Sequence, residues 1–150
     1  MRITRTRILI ADDNAAVRKA IRALLESRPE LEVAAEATNG RQAVERTLQI
    51  LPHVVLLDIA MPELDGFSAA RQIRSQAPEV QLLMLSYYDS PPIIEKALTV
   101  GVLGFVVKND LADDLLPAIE AVANRQAFLS RSAARSIGNL RMDTNGGKFA

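Results

Sequence analysis

Short apolar runs alternate with segments of helical period along most of this chain. The runs cover residues 8–11, 31–35, 54–57, 81–85 and 104–107. Between them, apolar residues recur at helical spacing, as Val17, Ile21 and Leu24 do after Asn14, a residue suited to cap a helix. Strand–helix units of this length form right-handed crossovers, so the sequence predicts a (βα)5 fold with one parallel sheet.

The run at residues 54–57 is apolar at every position, as is typical of a strand that helices cover on both faces. Open sheets with this pattern commonly have the strand order 2-1-3-4-5, in which the third strand lies beside the first. We therefore expect an α/β fold, a flavodoxin-like three-layer sandwich. With 150 residues, of which 49% are hydrophobic and only 4% aromatic, the chain is long enough for one such domain with an aliphatic core.

The composition disfavours several other classes of protein. The 18 basic and 18 acidic residues balance, so nothing indicates a general nucleic-acid or membrane binder. The chain has no cysteine, which rules out a disulfide framework and fits a reducing compartment. Asp12 and Asp13 interrupt the first apolar run too early for a signal peptide, and no run approaches the length of a membrane span. A cytoplasmic protein without membrane contact is expected.

Four of the predicted strands end at a polar residue that carries chemistry. Asp12 and Asp13 follow the first strand, Asp58 follows the third, Ser86 the fourth and Lys108 the fifth. Because the carboxyl ends of parallel strands meet at one edge of the sheet, these side chains are expected to converge there. Three carboxylates in one place repel one another, and a cation with oxygen ligands, above all Mg²⁺, removes that repulsion.

This set of residues is suited to phosphoryl transfer. A carboxylate beside Mg²⁺ is able to attack a phosphoryl group, and Asp58 is the best candidate because it follows the most apolar strand. Lys108 is expected to bind a phosphoryl oxygen as a point charge, and Ser86 to donate its hydroxyl to another. The spacing also permits the carbonyl of Ala60 to face the metal. Each residue alone has an ordinary explanation as a turn or strand-end residue, and the prediction depends on their conjunction.

These residues also match a known family. The chain resembles the receiver domain of bacterial two-component response regulators over about residues 6–125, through Ala11-Asp12-Asp13-Asn14, Asp58-Ile59-Ala60-Met61-Pro62, Asp65-Gly66, Leu85-Ser86 and Val107-Lys108. Residues 101–110 and 127–130 are similar to the NarL/FixJ-type subfamily. The resemblance implies a protein of phosphorelay signal transduction that itself is not an enzyme, apart from self-catalysed phosphorylation and dephosphorylation.

The resemblance assigns a role to each residue of the site. Asp58 is implied to be the phospho-acceptor, with a histidine kinase as the donor. Mg²⁺ is implied to be held by Asp12, Asp13, Asp58 and the Ala60 carbonyl. Ser86 and Lys108 take the family's hydroxyl and lysine positions. Ser86 and Phe105 are implied to be the switch residues. Many receivers carry a tyrosine at the position of Phe105. Because Phe105 has no hydroxyl group, only a change in the burial of its ring is available as the switch signal.

The end of the chain differs in character from the rest. We expect a receiver domain over residues 1–125 and a linker or flexible tail over residues 126–150, with no complete DNA-binding domain. Within this tail, residues 131–140 are compatible with a weak helix, whereas residues 143–147 have a flexible composition. DNA binding, and hence control of transcription, would require an output domain that this sequence lacks. A homodimer is compatible with the resemblance, either through the first and last helices or through the face around the fourth helix and fifth strand.

Four other functions are alternatives to a receiver that controls an output domain. A stand-alone receiver would act by protein–protein contact alone. A Mg²⁺-dependent phosphatase with an aspartyl nucleophile usually places that nucleophile after the first strand and a second acid two residues later, where this chain has Asn14. A flavin or nucleotide binder needs a phosphate-binding loop after that strand, which the two acids disfavour. A phosphorylation-independent module is disfavoured by the intact set of acids, hydroxyl and lysine.

Overall fold

The computed structural model of the protein describes residues 4–145. Within that range the strands are β1 (Thr6–Ala11), β2 (Leu31–Ala37), β3 (Val54–Asp58), β4 (Gln81–Ser86), β5 (Gly104–Val107) and β6 (Phe128–Leu129). The helices are α1 (Ala15–Glu26), α2 (Gly40–Ile50), α3 (Gly66–Gln76), α4 (Pro91–Thr99), α5 (Leu111–Ala123) and α6 (Arg131–Asn145). A 3₁₀ turn, Lys108–Asp110, joins β5 to α5. No helix among the described residues has the length and apolar character needed to cross a lipid bilayer.

The sheet is parallel throughout and has the order β2-β1-β3-β4-β5-β6. The (βα)5 prediction and its strand order are therefore confirmed, with β6 added at the edge beyond β5. Every residue of β3 is buried, because β1 and β4 flank this strand and helices cover both of its faces.

Two helical layers cover the sheet. Alternate side chains of each strand point to opposite faces, so Ile8 and Ile10 join α1 and α5 in one hydrophobic cluster. Leu9 and Ala11 lie on the other face, in the cluster that also includes residues of α2, α3 and α4. The flavodoxin-like three-layer sandwich predicted from the sequence is thereby confirmed.

Side-chain caps start three helices close to the carboxyl ends of the strands. The Asn14 side chain accepts hydrogen bonds from the backbone N–H groups of Ala16 and Val17, as predicted for the start of α1. Asn39 and Asp65 cap α2 and α3 in the same way. Asn14 and Asn39 lie close to the ends of β1 and β2, whereas Asp65 follows the longer loop after β3.

The segment expected to be a linker or flexible tail contains two elements in the structure. β6 pairs with β5 in parallel, and the side chain of Ala133 in α6 is fully buried in the hydrophobic core. A strand of two residues is too short to produce a periodic pattern, which explains why the sequence does not reveal it. The composition of residues 143–147 predicts flexibility; residues 143–145 form the end of α6, and residues 146–150 lie outside the described part of the chain.

Candidate functional site

The structure brings the strand-end residues together at the carboxyl edge of the sheet. Asp12, Asp13, Asp58, Ser86 and Lys108 line one cavity of about 240 Å³. Its wall also contains Asn14, Val17, Ile59, Ala60, Tyr87 and Tyr88. A larger cavity of about 400 Å³ lies near the opposite edge and contains none of the five predicted residues. Convergent charged groups, and not volume, therefore identify the candidate site.

Lys108 connects two of the three acids. Its Nζ lies 2.7 Å from Oδ2 of Asp12 and 3.0 Å from Oδ1 of Asp58, and its side chain is only 5% exposed. Burial by itself lowers the pKa of Lys108, but the hydrogen bonds to Asp12 and Asp58 and the charges of these two acids outweigh burial and raise this pKa. The ammonium group is therefore charged at neutral pH and offsets part of the negative charge of the site.

Asp58 has the opposite balance of effects. Burial raises the pKa of the Asp58 carboxyl group, and the nearby charge of Asp12 raises it further, while Lys108 acts in the opposite direction without cancelling the shift. A carboxylate with a raised pKa is more basic than an ordinary aspartate, and it is correspondingly a better nucleophile. The shifted pKa sets Asp58 apart from an ordinary exposed aspartate and marks it as a candidate functional group.

The three acids form an oxygen-only donor set. Asp12, Asp13 and Asp58 each offer a carboxylate oxygen, and these oxygens lie within 4.8 Å of one another. Asp12 is fully buried, and its Oδ1 accepts a hydrogen bond of 2.8 Å from the backbone N–H of Asn14, whereas Asp13 is exposed. Hard oxygen ligands with one exposed side suit a cation such as Mg²⁺, which keeps several of its waters. The residues present therefore fit a magnesium ion.

Ser86 lies at the end of β4, with its side chain buried. Its Oγ accepts a hydrogen bond of 2.8 Å from the backbone N–H of Tyr88, a bond that leaves the hydroxyl hydrogen for another acceptor. Phe105 is fully buried on the neighbouring strand β5, where it pairs with Met84. The residues predicted to act together as a switch thus lie on adjacent strands.

The loop after β3 folds back over Asp58 at Gly66. The Gly66 N–H donates a hydrogen bond of 2.8 Å to the Ile59 carbonyl oxygen. A Cβ atom at residue 66 would lie 2.2 Å from the carbonyl oxygen of Asp58, which is closer than any real contact. Only glycine fits this position, and the resulting turn places Ala60 at the cavity wall.

Tyr87 contributes to the site in a way that the sequence does not predict. The Lys108 Nζ lies 5.0 Å from the centroid of the Tyr87 ring, within the range of a cation–π contact. From the sequence, Tyr87 and Tyr88 read only as residues of a loop surface. The position of Tyr87 directly after Ser86 is visible in the sequence, but its proximity to Lys108 depends on the packing of β4 beside β5 and has no local signal.

The chain is similar in sequence to proteins of a known family. Residues 8–120 match the family model described as the response regulator receiver domain, and the chain belongs to that family. The transcriptional regulatory protein MctR of Rhizobium johnstonii is 35% identical over 137 residues, covering 91% of this chain and 64% of that protein. A protein-glutamate methylesterase/protein-glutamine glutaminase of Carboxydothermus hydrogenoformans is 34% identical over 143 residues, covering 89% of this chain and 40% of that protein.

A solved structure extends the similarity to the fold. The crystal structure of a two-component response regulator of the LuxR family from Aurantimonas sp. SI85-9A1 matches with a TM-score of 0.88 and 29% identity, covering 93% of this chain and 99% of that one. The chain spans between 40% and 64% of the length of the first curated relatives. Those relatives have the names of both transcriptional regulators and a methylesterase, so the shared part is the receiver domain of a response regulator. Receiver domains generally bind Mg²⁺ at an aspartate cluster, and this chain has such a cluster.

Proposed function

We propose that Asp58 is the phospho-acceptor of this receiver domain and that a histidine kinase is its donor. The observation that carries this proposal is the position of the Asp58 carboxylate: it is buried, hydrogen-bonded to Lys108, and open to a cavity that two further acids line. A buried carboxylate with one ammonium partner and a raised pKa is suited to act as a nucleophile.

The chemistry is a transfer of one phosphoryl group. A carboxylate oxygen of Asp58 attacks the phosphorus atom of a phosphohistidine, and an acyl phosphate O–P bond forms. The P–N bond of the donor breaks, and its electron pair stays on the imidazole nitrogen, which a proton from water then neutralises. Lys108 contacts a phosphoryl oxygen and offsets the charge that the new group brings into the site.

Magnesium is the cofactor that this donor set fits. Asp12, Asp13 and Asp58 would hold the ion together with the backbone carbonyl of Ala60. When bound, Mg²⁺ supplies positive charge that reduces repulsion between the carboxylate and the incoming phosphoryl group. Asp12 is held in place for this role by Lys108 and by the backbone of Asn14.

Phosphorylation is proposed to act as a switch through Ser86 and Phe105. The Ser86 hydroxyl turns to donate a hydrogen bond to a phosphoryl oxygen, and the Phe105 ring moves into the volume that Ser86 leaves. The resulting change at β4, β5 and α4 alters a surface for a partner or for a second copy of the chain. Residues 1–125 are the receiver in this proposal, and residues 126–150 lead towards an output domain that controls transcription in the cytoplasm.

Acetyl phosphate provides a direct test without a kinase. The purified chain is incubated with acetyl phosphate and Mg²⁺, and intact-mass spectrometry measures the gain of one phosphoryl group. We expect uptake in the wild type, none in Asp58→Asn and none after chelation of Mg²⁺. Asp89→Asn is the matched control, because Asp89 is an exposed acid in the neighbouring loop. Undiminished uptake by Asp58→Asn contradicts the assignment.

A further inference from the structure

Helix α6 is anchored at its first turn by two acids that follow the candidate site in the chain. The Asp110 carboxylate accepts hydrogen bonds of 2.9 Å from both the backbone N–H and the hydroxyl of Ser132. Asp114 accepts a bond of 2.8 Å from the backbone N–H of Arg131. Negative charge beside a helix N-terminus is stabilising. Because Asp110 belongs to the 3₁₀ turn that begins at Lys108, α6 is tied to the segment that carries the site lysine.

The body of α6 packs on the same side of the sheet as α4. Ala133 is fully buried in the hydrophobic cluster that contains Phe105 and the α4 residues Ile94 and Ala97, and Ile137 packs against that cluster. Ser130, directly before α6, is also buried, and its Oγ accepts a hydrogen bond of 3.0 Å from the backbone N–H of Val107. The helix therefore covers the face that α4 and β5 would otherwise present.

A third contact joins α6 to the loop between β4 and α4. The Ser136 hydroxyl donates a hydrogen bond of 2.5 Å to the backbone carbonyl of Asp89. The same loop is held at its start by the bond from the Tyr88 N–H to Oγ of Ser86. One short loop thus connects the hydroxyl at the candidate site to the middle of α6.

We propose that α6 is a docked helix whose hold on α4 and on the loop of residues 87–90 depends on the phosphorylation state of Asp58. This inference rests on the proposed function. When the Ser86 side chain rotates so that its hydroxyl reaches a phosphoryl oxygen, Oγ moves away from the Tyr88 N–H, and that group loses the acceptor that fixes the loop. The Asp89 carbonyl then shifts away from Ser136, and α6 loosens from the face that it covers. The chain that follows residue 145 receives the state of the site through this helix.

Hydrogen–deuterium exchange of the full 150-residue chain tests the proposal. Exchange is followed in peptides that cover residues 131–138, with and without acetyl phosphate and Mg²⁺, and intact mass records the phosphoryl group in the same samples. We expect these peptides to exchange about fivefold faster in the phosphorylated chain. Loss of one hydrogen bond, here the bond from Ser136 to Asp89, changes an opening equilibrium by about that factor. Ser136→Ala removes the hydroxyl and introduces a residue with high helix propensity. We expect this variant to exchange faster than the wild type even without phosphorylation, because the bond to Asp89 is absent. The added effect of phosphorylation is then smaller.

A matched control and the mass measurement separate the outcomes. Arg135→Ala changes an exposed neighbour on the same turn of the helix and is expected to behave as the wild type does. Unchanged exchange over residues 131–138 in a chain that has gained the phosphoryl group overturns the inference and leaves the proposed function standing. A chain that gains no phosphoryl group refutes the proposed function, and the inference is refuted with it.

Discussion

Asp12 and Lys108 are 96 positions apart in the sequence, and their side chains meet in a buried hydrogen bond of 2.7 Å. The pair connects the end of β1 to the end of β5, across the two strands β3 and β4 that lie between them in the sheet. The same Nζ also lies 3.0 Å from Oδ1 of Asp58, so one ammonium group forms ion pairs with two carboxylates. The charge balance of the site therefore depends on Lys108 whenever no metal is bound, and this dependence is measurable.

Replacement of Lys108 by methionine is expected to destabilise the metal-free protein. The change removes the cation from a buried pair and leaves two acids without it, which typically costs about 3 kcal/mol. Urea unfolding at pH 7 in a chelator measures the loss. Added Mg²⁺ is expected to stabilise Lys108→Met more than the wild type, because the ion then replaces the missing charge.

Lys19→Met is the matched control for that experiment. Lys19 is an exposed lysine of α1, and its replacement is expected to change the free energy of unfolding by no more than about 0.5 kcal/mol. Equal stability of Lys108→Met and Lys19→Met in the chelator contradicts the charge balance described for this site.

Asp58→Asn is expected to stabilise the metal-free protein at pH 7, by about 1 kcal/mol given the usual strength of partly screened carboxylate repulsion. Burial and the charge of Asp12 raise the Asp58 pKa in the folded state above its ordinary value of 3.8. The folded state therefore binds this proton more tightly than the unfolded state does, and ionised Asp58 lowers stability at pH values above the folded-state pKa. The advantage of Asp58→Asn shrinks as the pH falls through that pKa, since the wild-type carboxyl group becomes neutral.

Thermal unfolding of both proteins between pH 7 and pH 4 in a chelator measures this difference. A gap between Asp58→Asn and wild type that stays constant over the range, or a variant less stable than wild type at pH 7, contradicts the prediction. Far-UV circular dichroism at each pH confirms that both chains are folded before heating.

Mg²⁺ is expected to stabilise the wild type by about 1.4 kcal/mol when its concentration is ten times the dissociation constant. Asp13→Asn is expected to lose most of this gain, because it removes a carboxylate from the donor set. Asp13 is exposed, so the substitution itself has little effect on the fold. Thermal unfolding with increasing Mg²⁺ is the measurement, and identical shifts in both proteins count against the assigned ligand.

The sequence predicts the strand ends well, and for a physical reason. A buried parallel strand must be apolar on both faces, so Asp58 at the end of β3 and Lys108 directly after β5 stand out as the polar residues that end two apolar runs. The short-range pattern and the common carboxyl edge together place these groups in one site. Their distances, and the bond that joins Asp12 to Lys108, depend on side-chain packing across several strands and have no local signal.

The packing of helix α6 against the rest of the domain is the part of the fold that the sequence predicts least well. Its register against α4 depends on long-range contacts of single residues, such as Ala133 in the core and Ser136 at the Asp89 carbonyl. Neither residue type indicates burial or pairing by itself. The sequence therefore indicates at most a weak helix over residues 131–140 within a linker, while the tertiary contacts that stabilise α6 become visible only in the structure.

Gly66→Ala is expected to destabilise the protein and to slow phosphoryl uptake. The added Cβ would lie 2.2 Å from the Asp58 carbonyl oxygen. Because this oxygen belongs to the backbone, it is displaced less easily than the end of a flexible side chain. The loop must therefore move, at a cost of about 1–3 kcal/mol. Gly138→Ala is the matched control. A Cβ at residue 138 of α6 meets no atom within 4 Å, and replacing glycine by alanine in a helix gains up to about 1 kcal/mol.

The two glycine variants are compared by urea unfolding and by the rate of phosphorylation with acetyl phosphate. Gly66→Ala is expected to lower both quantities, because the displaced loop carries Ala60 away from the cavity and disturbs the backbone of Asp58. Gly138→Ala is expected to raise stability and to leave the rate unchanged, since residue 138 does not line the cavity. A Gly66→Ala protein with wild-type stability and rate would show that the loop tolerates a side chain at this position, contrary to the packing found around Asp58.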